Sequence, residues 1–267
     1  SRRLPRARGA AVAVVLSALV LCATVGQDRL FWARVIPWPD GAVVAGGSTL
    51  PAAALLAGCV APLLPVGPRG VLLLGAALCL SLVQTLRPLS GAAPATGPER
   101  VSGGVLLQTS DATCSAASAA TLLRLYGIPA TEAEMARLCL TRPEGTPMLG
   151  VYRGLRFKTT GTGVRVSVLS GANLADLRRA AADSPVLISV GLDRWQRGVD
   201  PRYEREWGWT PGRRHAVLVL GFLPGGKVAM GDPSVGREEW HTEALSVLWH
   251  GEGIRLARDG HEKRANL

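Results

Sequence analysis

An α+β domain preceded by about three membrane-spanning helices is the architecture the sequence predicts, and three observations carry it. Apolar, nearly uncharged runs occupy much of residues 1–88. A stretch rich in proline, glycine and small residues follows at 89–99. Beyond it, from 100 to 267, patterns of helical period come first and β-like runs after them, the order expected of segregated helices and antiparallel strands. The chain has 267 residues, 48% of them hydrophobic, and a mean hydropathy of +0.21. Both values are high for a chain with no lipid contact.

Residues 9–26 carry no charge and follow Arg2, Arg3, Arg6 and Arg8. At about 1.5 Å per residue they just cover a hydrocarbon core of about 30 Å. Basic residues ahead of an apolar core also describe a secretory signal. Two further uncharged runs, at 41–66 and 70–86 with Arg69 between them, favour spans instead. Trp32, Trp38 and Phe31 sit in the first connection, where aromatic rings commonly mark a membrane surface. The arginines before residue 9 belong on the cytoplasmic side, so three crossings deliver residues from 88 onward to the external face.

In the second part, 115–126 reads as a helix apolar or small almost all round, fit for the centre of a domain, and Gly127 ends it. Thr131 with Glu134 three residues later resembles a capping box opening a helix to about residue 140. Residues 146–160 suggest a short helix before a turn. Residues 164–169 alternate like a strand, 173–183 read as an amphipathic helix, and 186–190 as a buried strand. Further strands are expected at 215–222, 227–231 and 253–257. The segment 192–214 is too long for a hairpin turn and carries Trp195, Tyr203, Trp207 and Trp209; loops of this length are often functional.

The chemistry concentrates around Gln-Thr-Ser-Asp-Ala-Thr-Cys at 108–114. A cysteine in the first helical turn meets the positive end of the helix dipole, and a histidine partner makes it a low-pKa thiolate nucleophile. Gln108 is placed to donate its amide to an oxyanion. His215 opens one strand, and Asp232, in Gly-Asp-Pro, closes the next. A histidine starting a strand beside a carboxylate ending its neighbour is the geometry of a base and its orienter. Of four histidines, only His215 opens a strand. Thr113 is the better-placed N-cap, Asp111 takes no catalytic role, and Glu238 and Glu239 read as solvated. Trp207 and Trp209 are candidates to wall a substrate groove beside His215, the alternative being a surface insertion packed on its own strands.

Gln-x5-Cys before a helix, His-Ala-Val-Leu-Val-Leu-Gly at 215–221 and Gly-Asp-Pro-Ser-Val-Gly at 231–236 together resemble the C39 peptidases. These are papain-like cysteine proteases that trim bacteriocin leader peptides. The resemblance covers roughly 100–258, and residues 240–256 look like the family's closing helix and final strand. It implies a papain-like fold, a Cys114, His215, Asp232 triad with Gln108 as oxyanion donor, and a peptide substrate cut after small residues such as Gly-Gly. Ser115 stands where the family usually has glycine, and Thr113 where it commonly has aspartate. A separate exporter is a conceivable partner, since no phosphate-binding Gly-x4-Gly-Lys-Ser/Thr motif is present in this chain. The expected location is a bacterial plasma membrane, with membrane lipid as a further partner.

Two rival readings remain: a degenerate domain that binds peptides without cutting them, and acyl transfer to another amine by the same thiol. No cofactor or metal is expected, since the five cysteines and four histidines show no zinc-like spacing. The net charge of +10 comes from scattered arginines without a sustained basic stripe, so no nucleic-acid partner is expected.

Overall fold

The computed structural model describes residues 29–47, 68–90 and 92–258, and the chain divides into compact units at 1–91 and 92–267. In the first unit, the described residues form α1 (Phe31–Val35), α2 (Pro39–Gly47), α3 (Pro68–Leu86) and a single 3-10 turn (Arg87–Leu89). The expected span at 9–26 lies outside the described residues, as does most of that at 41–66. The span expected at 70–86 is helical, within α3, yet among the described residues no helix is long and apolar enough to cross a membrane.

The second unit is α+β. A hairpin of β1 (Arg100–Ser102) and β2 (Val105–Leu107) precedes three helices: α4 (Cys114–Leu125), α5 (Glu132–Leu138) and α6 (Met148–Thr159). Then come β3 (Val164–Leu169), α7 (Leu174–Asp183), β4 (Val186–Val190), the one-turn α8 (Arg202–Arg205), β5 (His215–Leu223), β6 (Lys227–Asp232), β7 (Gly236–His241), α9 (Thr242–Leu248) and β8 (Trp249–Arg258). Six strands form one antiparallel sheet in the order β3-β8-β4-β5-β6-β7.

Period-two alternation buries both faces of this sheet. Val186, Ile188 and Val190 of β4 join Val217, Val219, Val228 and Met230 in a core with Leu177 of α7 and Leu245 and Leu248 of α9. Leu187 and Leu218, one residue out of phase, are equally buried and point to the opposite face. The helix α4 packs on β4 and β5. Its row of alanines, Ala116, Ala117, Ala119 and Ala120, is fully buried and lets the helix axis approach the strands closely. Where α6 passes Cys139, Gly150 and Gly154 present no side chain; a Cβ at either would collide with that residue.

Three expectations need correction. The hairpin β1–β2 and the strand β7 are additional elements. Trp240 lies in β7, so the closing helix begins only at Thr242. Thr113 occupies the N-cap position of α4 without capping it, because its hydroxyl donates to the Ser110 carbonyl at 2.8 Å and accepts from the Ser110 N–H. By contrast, Thr131 does cap α5, accepting from Glu134 N–H at 3.1 Å, and Asn173 with Asp176 forms a full capping box on α7.

Candidate active site

Cys114 is the first residue of α4 and 8% exposed. His215 is the first residue of β5, and Asp232 the last of β6. Two ties bring helix and sheet together. Ser118, one turn along α4, donates its hydroxyl to the carbonyl of Ala216 at 3.0 Å. Gln108 N–H donates to the Pro233 carbonyl at 2.8 Å, which holds the segment before the cysteine against the turn after Asp232.

His215 Nε2 lies 2.8 Å from Asp232 Oδ1. That leaves Nδ1 as the nitrogen for Cys114, whose thiol pKa is lowered by the His215 side chain. Asp232 is itself held by the Ser234 N–H at 2.7 Å. Sulfur, imidazole and carboxylate therefore form one row, lining a single cleft.

The electrostatics favour charge separation along it. Burial raises the thiol pKa of Cys114, but the hydrogen bond and charge of His215, aided by Ala216 N–H and the Ser115 hydroxyl, bring it below the ordinary 9.0. Burial lowers His215, yet the hydrogen bonds and charges of Asp232 and Cys114 carry it up to about 10. Asp232 falls below the usual carboxylate value; burial opposes the change, and His215 with Ser234 outweighs it. The favoured state is thiolate, imidazolium and carboxylate. Cys139 provides the contrast: fully buried, its thiol is pushed up to about 12.

A cleft of about 350 Å³ opens over the row, lined among others by Gln108, Cys114, Trp207, Trp209, His215 and Asp232. All four predicted catalytic side chains thus border one space, together with the two tryptophans singled out from the long segment. Gln108 has its amide nitrogen turned to the Ser110 carbonyl at 3.1 Å, with its oxygen 3.4 Å from the Ser234 hydroxyl. That bond engages one of the two amide hydrogens and leaves the other as a donor. Trp209 meets the His215 ring edge to face, centroids 6.4 Å apart. Asp111 also lines the cleft, almost fully exposed and 4.0 Å from Arg213.

Two residues that sequence reasoning passed over, and one that it read as solvated, lie around the site. Ser118 lies one helical turn from Cys114, a spacing that could have flagged it. Glu132 sits beneath the cysteine segment, its two oxygens accepting from Thr109 N–H and Thr109 hydroxyl, each at 2.8 Å. Glu238, expected to be solvated, is half-buried, and its carboxylate accepts from Trp240 Nε1 at 2.5 Å. Among the described residues, no group of acidic, histidine and cysteine side chains could hold a metal ion.

The chain is similar in structure to C39 peptidase domains. One is the peptidase domain of Streptococcus ComA, a bifunctional ABC transporter involved in a quorum-sensing pathway, at 20% identity, covering 57% of this chain and 96% of that one, with a TM-score of 0.44. Another is a double-glycine-motif protease from an AMS/PCAT transporter, solved with its leader peptide, at 18% identity, 61% and 94% coverage and a TM-score of 0.42. A third is a C39-like peptidase of Bacillus anthracis at 14% identity, 61% and 98% coverage and a TM-score of 0.44. No protein-family model matches the sequence, and no curated protein does.

Proposed function

We infer that residues 100–267 form a cysteine peptidase domain, joined by a linker at 89–99 to an apolar N-terminal region. The observation that carries this reading is the row of Cys114, His215 and Asp232 lining one open cleft, with His215 hydrogen-bonded to Asp232. In the reaction, the Cys114 thiolate attacks the carbonyl carbon of a peptide bond. Negative charge develops on the carbonyl oxygen, and Gln108 donates an amide N–H to it. The first-turn N–H groups of α4, which no side chain caps, are further donors. His215 gives its Nδ1 proton to the departing amine, and the C–N bond breaks to leave a thioester on Cys114. Water, losing a proton to His215, then attacks the thioester. A carboxylic acid leaves and the thiolate–imidazolium pair is restored. Asp232 keeps the Nε2 proton in place throughout, which fixes the tautomer and the ring plane.

The substrate we propose is a leader peptide cut after a small pair such as Gly-Gly, the preference implied by the motif resemblance. Incubation with synthetic peptides carrying that pair should give two fragments whose summed mass includes one water, and Cys114→Ala should abolish them. Recovery of one fragment joined to an added amine would point to acyl transfer instead. Tight binding of intact peptide by the wild-type chain, with no fragments at any pH, would identify a binding domain and overturn the peptidase reading.

We also propose that the N-terminal region attaches the domain to a bilayer, with the catalytic part on the external face and a separate exporter as a partner. Support comes from Leu72, Leu80, Leu82 and Val83 of α3, all exposed apolar side chains, Leu72 by 72%. The uncharged runs at 9–26 and 41–66 add to it. Extraction of the full chain from membranes by detergent, but not by alkaline carbonate, is the expected result. Release by carbonate would remove the anchoring proposal and leave the peptidase untouched.

A further inference from the structure

A second cleft, of about 690 Å³, adjoins the catalytic one and shares Trp207, Trp209 and Asp232 with it. It is larger than the first and differs in character. Aromatic rings supply much of its wall. Trp209 and Trp240 meet edge to face with centroids 5.8 Å apart, and Tyr203 meets Trp207 in the same way at 4.6 Å. Leu248 and Ala244 of α9 add apolar surface.

Glu238 is placed among these rings by the pairing of β6 with β7. Met230 lies opposite Glu238, Val228 opposite Trp240 and Asp232 opposite Gly236. Residues directly opposite share a face, so Glu238 and Trp240 project on the side of the sheet that carries Asp232. The other carboxylates of the cleft differ in their partners. Glu239 is paired with Lys227 at 2.9 Å and Asp200 with Arg202 at 2.6 Å. Glu238 has no ion-pair partner among the described residues and receives a single indole N–H. Burial and then the charge of Asp232 push its carboxyl above the ordinary 4.5, against the pull of the indole hydrogen bond and of His215. A cation brought into the cleft relieves both unfavourable influences.

We propose that this cleft is a specificity pocket of the peptidase for a basic side chain of the substrate, arginine or lysine. Its stem lies among Trp209, Trp240 and Tyr203, and its charged head meets Glu238. Three features agree on that occupant. The aromatic walls suit both a methylene stem and a cationic head, and Arg202 already stacks over the Trp207 ring at 5.6 Å. The second oxygen of Glu238 is open to a donor from the substrate. An acidic side chain is repelled by Glu238, whereas Glu239 and Asp200 are already paired with Lys227 and Arg202, and a neutral apolar one leaves the half-buried Glu238 without a charge partner. The pocket adjoins the catalytic carboxylate, so the basic residue lies within a few positions of the cleaved bond.

The proposal rests on the peptidase reading, and a two-part experiment separates their failures. Equilibrium binding of fluorescent peptides is measured with Cys114→Ala, in pairs that differ only in arginine against norleucine at each position flanking the Gly-Gly pair. At one position, arginine should bind about tenfold or more tightly, the factor expected of one hydrogen bond to a charged group. In Glu238→Gln on that background, the ratio should fall toward one, and in Glu238→Lys, aspartate should be preferred over arginine. Equal binding of arginine and norleucine at every position, or an arginine preference unchanged by Glu238→Gln, overturns the pocket. The same peptides are then offered to the wild-type chain. If arginine preference and its loss in Glu238→Gln are seen while no peptide is cut, the pocket stands and the peptidase reading fails.

Discussion

Nε2 of His215 and Oδ1 of Asp232 lie 2.8 Å apart, across two adjacent antiparallel strands, with residues 217–230 of sequence between the two residues' neighbours. This bond fixes which ring nitrogen faces the sulfur, and it sets the charge of the ring. Asp232 contributes to raising His215 to about 10. For the peptidase we propose, kcat/KM is expected to rise as the thiolate forms, at a pH below the free-thiol value of 9.0, and to fall as His215 loses its proton near pH 10. Removing a negative neighbour lowers the pKa of a cation. Asp232→Asn should therefore move the alkaline limb toward acid and lower the maximum, as a pH series of initial rates would record. An alkaline limb that stays in place would show that the carboxylate does not govern the imidazole.

Thiol reactivity offers a test that needs no substrate. Cys114 is lowered by His215, whereas burial pushes Cys139 to about 12. At neutral pH, iodoacetamide should modify Cys114 far faster than Cys139, measured by peptide mass mapping of the native chain. His215→Ala should bring the Cys114 rate down toward that of an ordinary buried thiol. Similar, slow rates for both cysteines in the wild-type chain would contradict the ion pair.

Gln108 donates to Ser110 when no substrate is present. If its other amide hydrogen serves the oxyanion, Gln108→Ala should lower kcat by about 10²-fold while KM changes little, since an oxyanion contact forms chiefly in the transition state. A rise in KM with kcat intact would mean that Gln108 binds the ground state instead.

Glu132 is 1% exposed, and its carboxylate accepts both polar hydrogens of Thr109, the residue after Gln108. Its N–H in turn donates to Glu99 at 3.2 Å. Replacing it with alanine strands the Thr109 N–H and opens a space beneath the cysteine segment. Urea denaturation should show a loss of about 2–4 kcal/mol, from two hydrogen bonds to a charged group at roughly 1.5–3 kcal/mol each, partly recovered by water. Glu132→Gln keeps the shape and one acceptor, so a loss of about half that size is expected. Equal stability of all three chains would place the segment under other control.

The α+β order, the strands at 164–169 and 186–190 and the helices around 114–125 and 174–183 were legible, through alternation at 164–169, helical period at 174–183, and continuous apolar or small runs at 114–125 and 186–190. The strand β7 was not. Gly-Arg-Glu-Glu-Trp-His has only one apolar residue, and it pairs with β6 because that strand's open edge supplies partners, not because its own sequence alternates. The hairpin β1–β2, three residues in each strand, is equally too short to show a period. In α3 the sequence showed helix and apolarity, yet among the described residues no helix is long and apolar enough to cross a membrane.

What the sequence determined by itself is chemical: which thiol stands at a helix start, which histidine opens a strand, and which carboxylate closes its neighbour. Those are local properties, set by propensity, spacing and the dipole of a single helix. What only the tertiary structure decided is relational. The register of β5 on β6 brings Asp232 to Nε2, the Ser118 to Ala216 bond seats the helix against the strand, and the β6–β7 pairing places Glu238, half-buried, among tryptophans. Distances between groups far apart along a chain depend on how its layers pack, and burial depends on what the neighbouring strands cover. Neither quantity is carried by any one stretch of residues.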